Sequence, residues 1–243
     1  MFKIIIILKV LIFSILNSPV EVLKQIFLRN NYEEFSAQEL KGIIGNYPGL
    51  VIEAGAWNGD DTYKLSKIFA ESIICGVEPI PELYALLTDR FRGNEKIKLY
   101  NNALSGNSKI VKLYYGSDLN PSGSLNKVDI HNKIFRTLFD KEVSITSVTV
   151  DSIMEDFPNL IVNLLWLDIQ GSELEVIKSI SQSNLKRIRF IHTEISHLNL
   201  YEDQPTKNDF FEYMESVGFR CVISRHPLFS GNYIFGNSKL TSS

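Results

Sequence analysis

The chain predicts an α/β fold, a mostly parallel sheet with helices on both faces. Three observations carry this. An apolar strand, Leu50-Val51-Ile52, runs through Glu53-Ala54-Gly55-Ala56-Trp57-Asn58-Gly59 into a helical stretch, Thr62 to Phe69. A second run, Leu160 to Asp168, is apolar at nearly every position, as a strand buried on both faces requires, and it too meets a glycine (Gly171) and a helix. Between and after them, short apolar runs alternate with segments of helical period.

Taken in order, the elements follow from local pattern. Ser72 to Val77 is a second strand, ending in Glu78-Pro79. Pro81 to Phe91 places Leu83, Leu86, Leu87 and Phe91 at helical spacing. Lys96 to Tyr100 is a short strand followed by Asn101-Asn102-Ala103-Leu104-Ser105, and Ile110 to Tyr115 alternates as a strand should. Gly116 to Gly123 is turn-rich, with Pro121, and Asn126 to Glu142 reads as a lid or insertion. Val143 to Val150 reads as a strand, and Asp151 as the N-cap of a short helix through Met154. Ser172 to Ile177 opens a helix with Glu173 and Glu175 in its first turn, where the helix dipole favours acids. Ile188 to Ile195 is the next strand, Asp209 to Val217 a helix stopped by Gly218, and Phe219–Ser224 with Tyr233–Phe235 a closing antiparallel pair around Gly231.

The bulk numbers narrow the function. With 243 residues, 44% hydrophobic and 22% charged, the chain is of ordinary globular composition and fits one α/β domain. A net charge of −3 gives no broad electrostatic case for nucleic-acid binding, and none is expected. Cys75 and Cys221, the only cysteines, make neither a zinc site nor a disulfide framework; both read as small hydrophobes in buried strands. No metal site is expected. The apolar run from Ile4 to Leu16, broken by Lys9 and Ser14, is too short for a membrane span. Residues 1–30 therefore read as a hydrophobic helix that packs on the domain, lies at a membrane surface or anchors the chain. Residues 31–243 read as the α/β domain itself, expected in the cytoplasm, with membrane association through the N-terminus.

Ligands of such sheets bind at the carboxyl ends of strands, near the switch in strand order. Four acids, Glu53, Glu78, Asp168 and Glu194, fall at predicted strand ends. Acids gathered on one rim need partners, which points to a polar ligand or an extended hydrogen-bond network. The first turn has only Gly55 and Gly59, not the three glycines of a dinucleotide fingerprint, and Glu53 would repel a phosphate. An acid there suits a cationic ligand. S-adenosyl-L-methionine carries an ammonium, a sulfonium and two ribose hydroxyls, and Glu78 is placed to take the hydroxyls.

At this point the sequence resembles the FkbM-type S-adenosylmethionine-dependent methyltransferases, over about residues 48–236. VIEAGAWNGDDT is similar to that family's first motif, GVEPIPELYALL to its second and NNALS to the motif beside the adenine. VTVDSI followed by LLWLDIQGSELEVIKS resembles its most specific segment, and IRFIHTEIS the next strand. The resemblance implies a class I methyltransferase, Rossmann-like fold: a seven-stranded, mostly parallel sheet with one antiparallel strand. It implies that Glu53, Gly55 and Ala56 approach the methionine part of the cofactor, Glu78 the ribose, Asn102 and Ala103 the adenine and Asp168 the transferring methyl, with Gly59 and Pro79 also binding the cofactor. It implies O-methylation of a hydroxyl on a sugar, glycan or related small molecule. The chain departs from the usual pattern at Glu53 (for Asp), Trp57 (for Asn), Trp166 (for Lys) and Gln170 (for Glu).

Methyl transfer to oxygen needs the nucleophile aligned behind the methyl and its proton removed. The candidates for that work are Asp168, Glu173, Glu194 and His197. Glu173 also reads as a plain first-turn helix acid. His192, inside a strand, reads as a core or surface residue before a catalytic one, and His131 and His226 as surface residues. The loop serines Ser117, Ser122 and Ser124 are candidates to hydrogen-bond a sugar. Two other readings stand beside this one: an inactive methyltransferase-like binding module, favoured by Gln170 and the apolar N-terminus, and a nicotinamide-dependent oxidoreductase, disfavoured by the missing third glycine.

Overall fold

The computed structural model describes residues 35–116, 141–169, 171–196, 205–225 and 230–241. Residues 1–30, Gln170, His197, His131, His226, Ser117, Ser122, Ser124 and most of the expected insertion lie outside the described residues. In chain order the described elements are α1 (Ala37–Ile44), β1 (Gly49–Ala54), α2 (Asp60–Ile68), β2 (Ser72–Val77), α3 (Pro81–Arg90), β3 (Ile97–Tyr100), β4 (Ala103–Leu104), β5 (Ile110–Tyr115), β6 (Lys141–Val148), α4 (Val150–Glu155), β7 (Val162–Leu167), α5 (Glu173–Ser179), α6 (Gln182–Leu185), β8 (Ile188–Ser196), α7 (Lys207–Ser216), β9 (Phe219–Arg225) and β10 (Ser230–Asn237).

Seven strands form one sheet in the order β3-β2-β1-β7-β8-β10-β9. β3, β2, β1, β7 and β8 pair parallel, and β10 runs antiparallel to both of its neighbours. Strand order reverses beside β1, between β2 and β7, so the crevice expected for a ligand opens there. All six residues of β1 and all six of β7 are buried, consistent with helices covering both faces. One face packs Leu50, Ile52, Leu165 and Leu167 against α4, α5 and α7. The other packs Val51, Leu164, Trp166 and Phe190 against α1, α2 and α3. Burying each such aliphatic side chain stabilises the fold by roughly 1.5–3 kcal/mol, so these central strands anchor the loops at their ends.

Several expectations need correction. Ile110–Tyr115 and the strand near residue 143 do not join the main sheet: with β4 they form a separate three-stranded sheet, β4-β6-β5. Lys141 and Glu142 belong to β6, paired with Tyr115 and Tyr114, and not to an insertion. Asp151 is not an N-cap. Thr149 is, with its hydroxyl accepting from Ser152 N in a capping box, while the Asp151 carboxylate accepts from Ser181 N and from Asn184 Nδ2, tying α4 to α6. Cys75 is buried, but Cys221 is exposed because β9 is the sheet's edge strand. Gly231 lies within β10, opposite Ile195, and β10 extends well beyond Tyr233–Phe235. The helix α1 was not foreseen, although Ser36-Ala37-Gln38-Glu39 spells the capping box that starts it. Among the described residues no helix is long and apolar enough to cross a membrane.

Candidate active site

The turn after β1 is set by backbone hydrogen bonds: Gly55 N and Ala56 N both donate to the Val77 carbonyl, and Gly59 N donates to Ala56 O. Gly55 takes φ +89°, and a Cβ there would lie 2.3 Å from the Asp168 carbonyl oxygen. Only glycine lets the ends of β1 and β7 approach so closely. Trp57 follows with φ +45°, the one positive φ among described non-glycine residues.

That left-handed turn aims the Trp57 amide at Glu78. Trp57 N donates to Glu78 Oε2 (2.8 Å) and Ile80 N to Glu78 Oε1 (2.8 Å), so the carboxylate is clamped in one orientation just past β2. Each oxygen keeps a lone pair for a further donor. Burial pushes the Glu78 carboxyl up to about 7, against the lowering effect of the two amides.

Around this clamp lies a cavity of about 410 Å³, within the usual range for small-molecule sites. One wall is the β1–α2 turn, Gly55, Ala56, Trp57 and Asn58, with Asp60, Asp61 and Lys64 of α2. Glu78 and Pro79 stand beside it. The far end is apolar, with Ile80 and Leu83 facing Ala103, Leu104 and Leu113 of the small sheet, and Asp168 and Ile169 close the side toward β7. The first turn of α2 already carries Asp60 and Asp61, and Asp60 is tied to Asn58 and Arg90. A helix N-terminus so occupied by carboxylates is unsuited to phosphate.

The structure brings Gly55, Ala56, Glu78, Pro79, Ala103 and Asp168 together on this cavity, and sets three of the proposed cofactor residues behind it. Glu53 is 1% exposed beneath α2, where Thr62 Oγ1 donates to its Oε2 at 2.6 Å. Gly59 is the N-cap of α2 and packs against Leu87 and Phe91. Asn102 donates its Nδ2 to the Thr146 carbonyl, joining the loop to the small sheet.

Of the proposed catalytic acids, Asp168 lines the cavity. Glu173 accepts from Ile169 N and Gly171 N and so braces the loop that carries Asp168. Burial first, then the neighbouring Asp168 and Glu194 charges, push its carboxyl up to about 8. Glu194 stands in β8, two residues before its end, and burial with the Asp168 charge pushes it up to about 7. His192 is a core residue, stacked on Trp166 with ring centroids 3.7 Å apart; burial drives its imidazole down to about 3 and keeps it neutral. Among the described residues no group of His, Cys, Asp and Glu is arranged to hold a metal ion.

The sequence reading missed Lys64 and the apolar end of the cavity. By pattern alone Leu83 is an apolar residue of a helix, Leu113 a residue of an alternating strand, and Ile80 part of the link after the second strand. Only the departure of β5 and β6 into a second sheet turns Leu113 toward the site.

A parallel sheet with strand order reversed beside β1, a glycine turn there, a clamped carboxylate after β2 and an apolar slot beyond it define a nucleoside-binding enzyme of the class I methyltransferase type. The chain belongs to the FkbM methyltransferase family: the family model described as Methyltransferase FkbM domain matches residues 53–221. It is similar to the 2-O-methyltransferase NoeI of Sinorhizobium fredii, 22% identical over 198 residues that span 79% of this chain and 80% of the relative. Among solved structures it is similar to an rRNA methylase from Streptococcus thermophilus (12% identity, 86% of this chain and 98% of that one, TM-score 0.47). Another is the Aeropyrum pernix fibrillarin in complex with S-adenosyl-L-methionine (13% identity, 82% of this chain and 72% of that one, TM-score 0.45). The cofactor is S-adenosyl-L-methionine, and the cavity fits it chemically. The apolar slot suits an adenine, Glu78 suits vicinal ribose hydroxyls, and the acids near Asp168 suit a cationic methionyl end.

Proposed function

We propose that this protein methylates a hydroxyl of a sugar, glycan or related small molecule, and that Asp168 receives the hydroxyl proton. The observation that carries the reading is the placement of Asp168. It lines the cofactor cavity, its strand-end loop is braced by Glu173, and Glu194 stands close enough for their charges to interact. When bound, S-adenosyl-L-methionine supplies an electrophilic methyl on a sulfonium. The protein's part is to hold the acceptor oxygen in line with it and to take its proton. A carboxylate held beside the acceptor hydroxyl can take that proton as the methyl is transferred. The 2-O-methyltransferase relative supports an oxygen nucleophile. The apolar composition of residues 1–30 supports a seat at the cytoplasmic surface of a membrane.

The test is methyl transfer from labelled S-adenosyl-L-methionine to a panel of glycans, lipids and small hydroxylated compounds. The expected outcome is label in an acid- and base-stable ether on a sugar hydroxyl. Label on nitrogen or carbon, or none on any hydroxyl acceptor while the cofactor binds, would reject the reading. Asp168→Asn is expected to lower kcat about 100-fold or more, the scale of one general base, with cofactor affinity within a few-fold of native.

A further inference from the structure

The Trp57 side chain is not needed for what the Trp57 backbone does. The hydrogen bond to Glu78 uses only the amide, which any residue but proline supplies. At φ +45° asparagine or glycine supplies it with less strain, and a bulky side chain is out of place there. The core does not demand an indole here either. Trp57 is 37% exposed, whereas the other tryptophan, Trp166 on β7, is buried. Among the described residues none of the three apolar clusters includes Trp57. Strain held where packing does not require it points to function.

The cavity shows which function. Its apolar slot suits the adenine, Glu78 the ribose, and the side toward Asp168 the methionyl end. Trp57 lines the same cavity and is partly open to solvent, so it stands at the mouth, where an acceptor must enter to reach the methyl. Along the same wall lie Asp61 and Lys64, a partly exposed charged pair 3.9 Å apart. An aromatic plate edged by hydrogen-bonding groups is complementary to a pyranose ring. The axial C–H bonds of that ring form an apolar face with weakly positive hydrogens, and the face of an indole is weakly negative. The ring's hydroxyls project from its rim, where a carboxylate accepts and an ammonium donates.

We propose that Trp57 is the platform on which the acceptor sugar stacks, with Asp61 and Lys64 at its edge for the hydroxyls. The cleft then takes a closed pyranose ring in preference to an open-chain polyol rich in the same hydroxyls. The inference rests on the proposed methylation of a hydroxyl, and it adds the residue that recognises the acceptor's ring.

The test is methyl transfer from labelled S-adenosyl-L-methionine to pyranosyl oligosaccharides and methyl pyranosides, with the corresponding alditols as open-chain controls. The native chain is expected to methylate a pyranosyl acceptor with a kcat/KM about tenfold or more above that of its alditol, the scale for a buried aromatic anchor. Trp57→Asn keeps the amide and suits the backbone. It is expected to hold cofactor affinity within a few-fold and to raise the KM for the sugar about tenfold or more, with kcat little changed. Trp57→Phe keeps an aromatic plate and should keep most of the sugar affinity. Fluorescence gives a readout free of turnover. With S-adenosyl-L-homocysteine bound, the sugar should shift the emission of the native chain, and Trp57→Phe, which retains only the buried Trp166, should lose that shift. An unchanged KM in Trp57→Asn, or a loss of cofactor affinity as large as the loss of sugar affinity, overturns the inference. Methylation of alditols or of non-sugar hydroxyls in preference to pyranosides overturns it and leaves O-methyl transfer standing. No methylation of any hydroxyl while the cofactor binds overturns it together with the proposed function.

Discussion

Glu78 and Trp57 form one device. The tryptophan holds a left-handed backbone that costs a non-glycine residue on the order of 1 kcal/mol, and in return its amide fixes the Glu78 carboxylate. Asparagine tolerates that conformation better, so Trp57→Asn is expected to raise stability by about 1 kcal/mol, a Tm increase of about 2–4 °C. Thermal unfolding checks it; a lower Tm would show that the indole packs more than it strains. Glu78→Ala removes the acceptor of two backbone amides as well as the proposed ribose ligand. It is expected to weaken cofactor binding by at least tenfold, the scale of a hydrogen bond to a charged group, and by much more than Asp168→Asn does; titration calorimetry on both variants decides it. Gly55→Ala places a methyl group against the Asp168 carbonyl as well as straining φ, so lost cofactor affinity and a lower Tm are expected together.

At the scale of elements, the short helix α4 shows how a local rule selects the wrong residue. Asp151 is a good N-cap by type, but Thr149, two positions earlier, has the extended backbone and the Ser152 partner of a capping box. The Asp151 carboxylate is used instead by the start of α6, accepting from the Ser181 backbone amide and the Asn184 side-chain amide. Thr149→Ala is expected to cost about 1 kcal/mol by loss of a cap, and Asp151→Ala a similar amount through unpaired α6 donors; denaturant unfolding of the two variants measures both. The central strands β1, β2 and β7 were legible because each is short, apolar and bounded by turn residues. β5 and β6 were legible as strands but not as a second sheet. Their alternation of exposed and buried residues says that one face is covered, not by which layer.

The whole molecule carries its electrostatics at one rim. Burial raises Glu53 and Glu173 to about 8 and Glu78 and Glu194 to about 7. Between their ordinary value of 4.5 and these values, the folded chain keeps protons that the unfolded chain has lost. The unfolded state then binds fewer protons, so stability falls as pH rises through that window. Tm is therefore expected to be higher near pH 5.5 than at pH 8 without ligand, and Glu53→Gln to lessen the fall. A Tm that rises with pH over this range would contradict the buried-acid account.

By itself the sequence determined the α/β alternation, the glycine turn after β1, the acids at strand ends and the family they define. These depend on local pattern: apolar period, turn residues and motif order. Only the tertiary structure decided what each acid does. Glu53, Glu78, Asp168 and Glu173 look alike along the chain, as carboxylates near strand ends. Folding gives Glu78 two amides and an open cavity, Asp168 a place on its wall, Glu173 a loop to brace, and Glu53 a buried seat with one oxygen unpaired. The role of a carboxylate follows from its donors and its solvent, and both are supplied by residues distant in sequence.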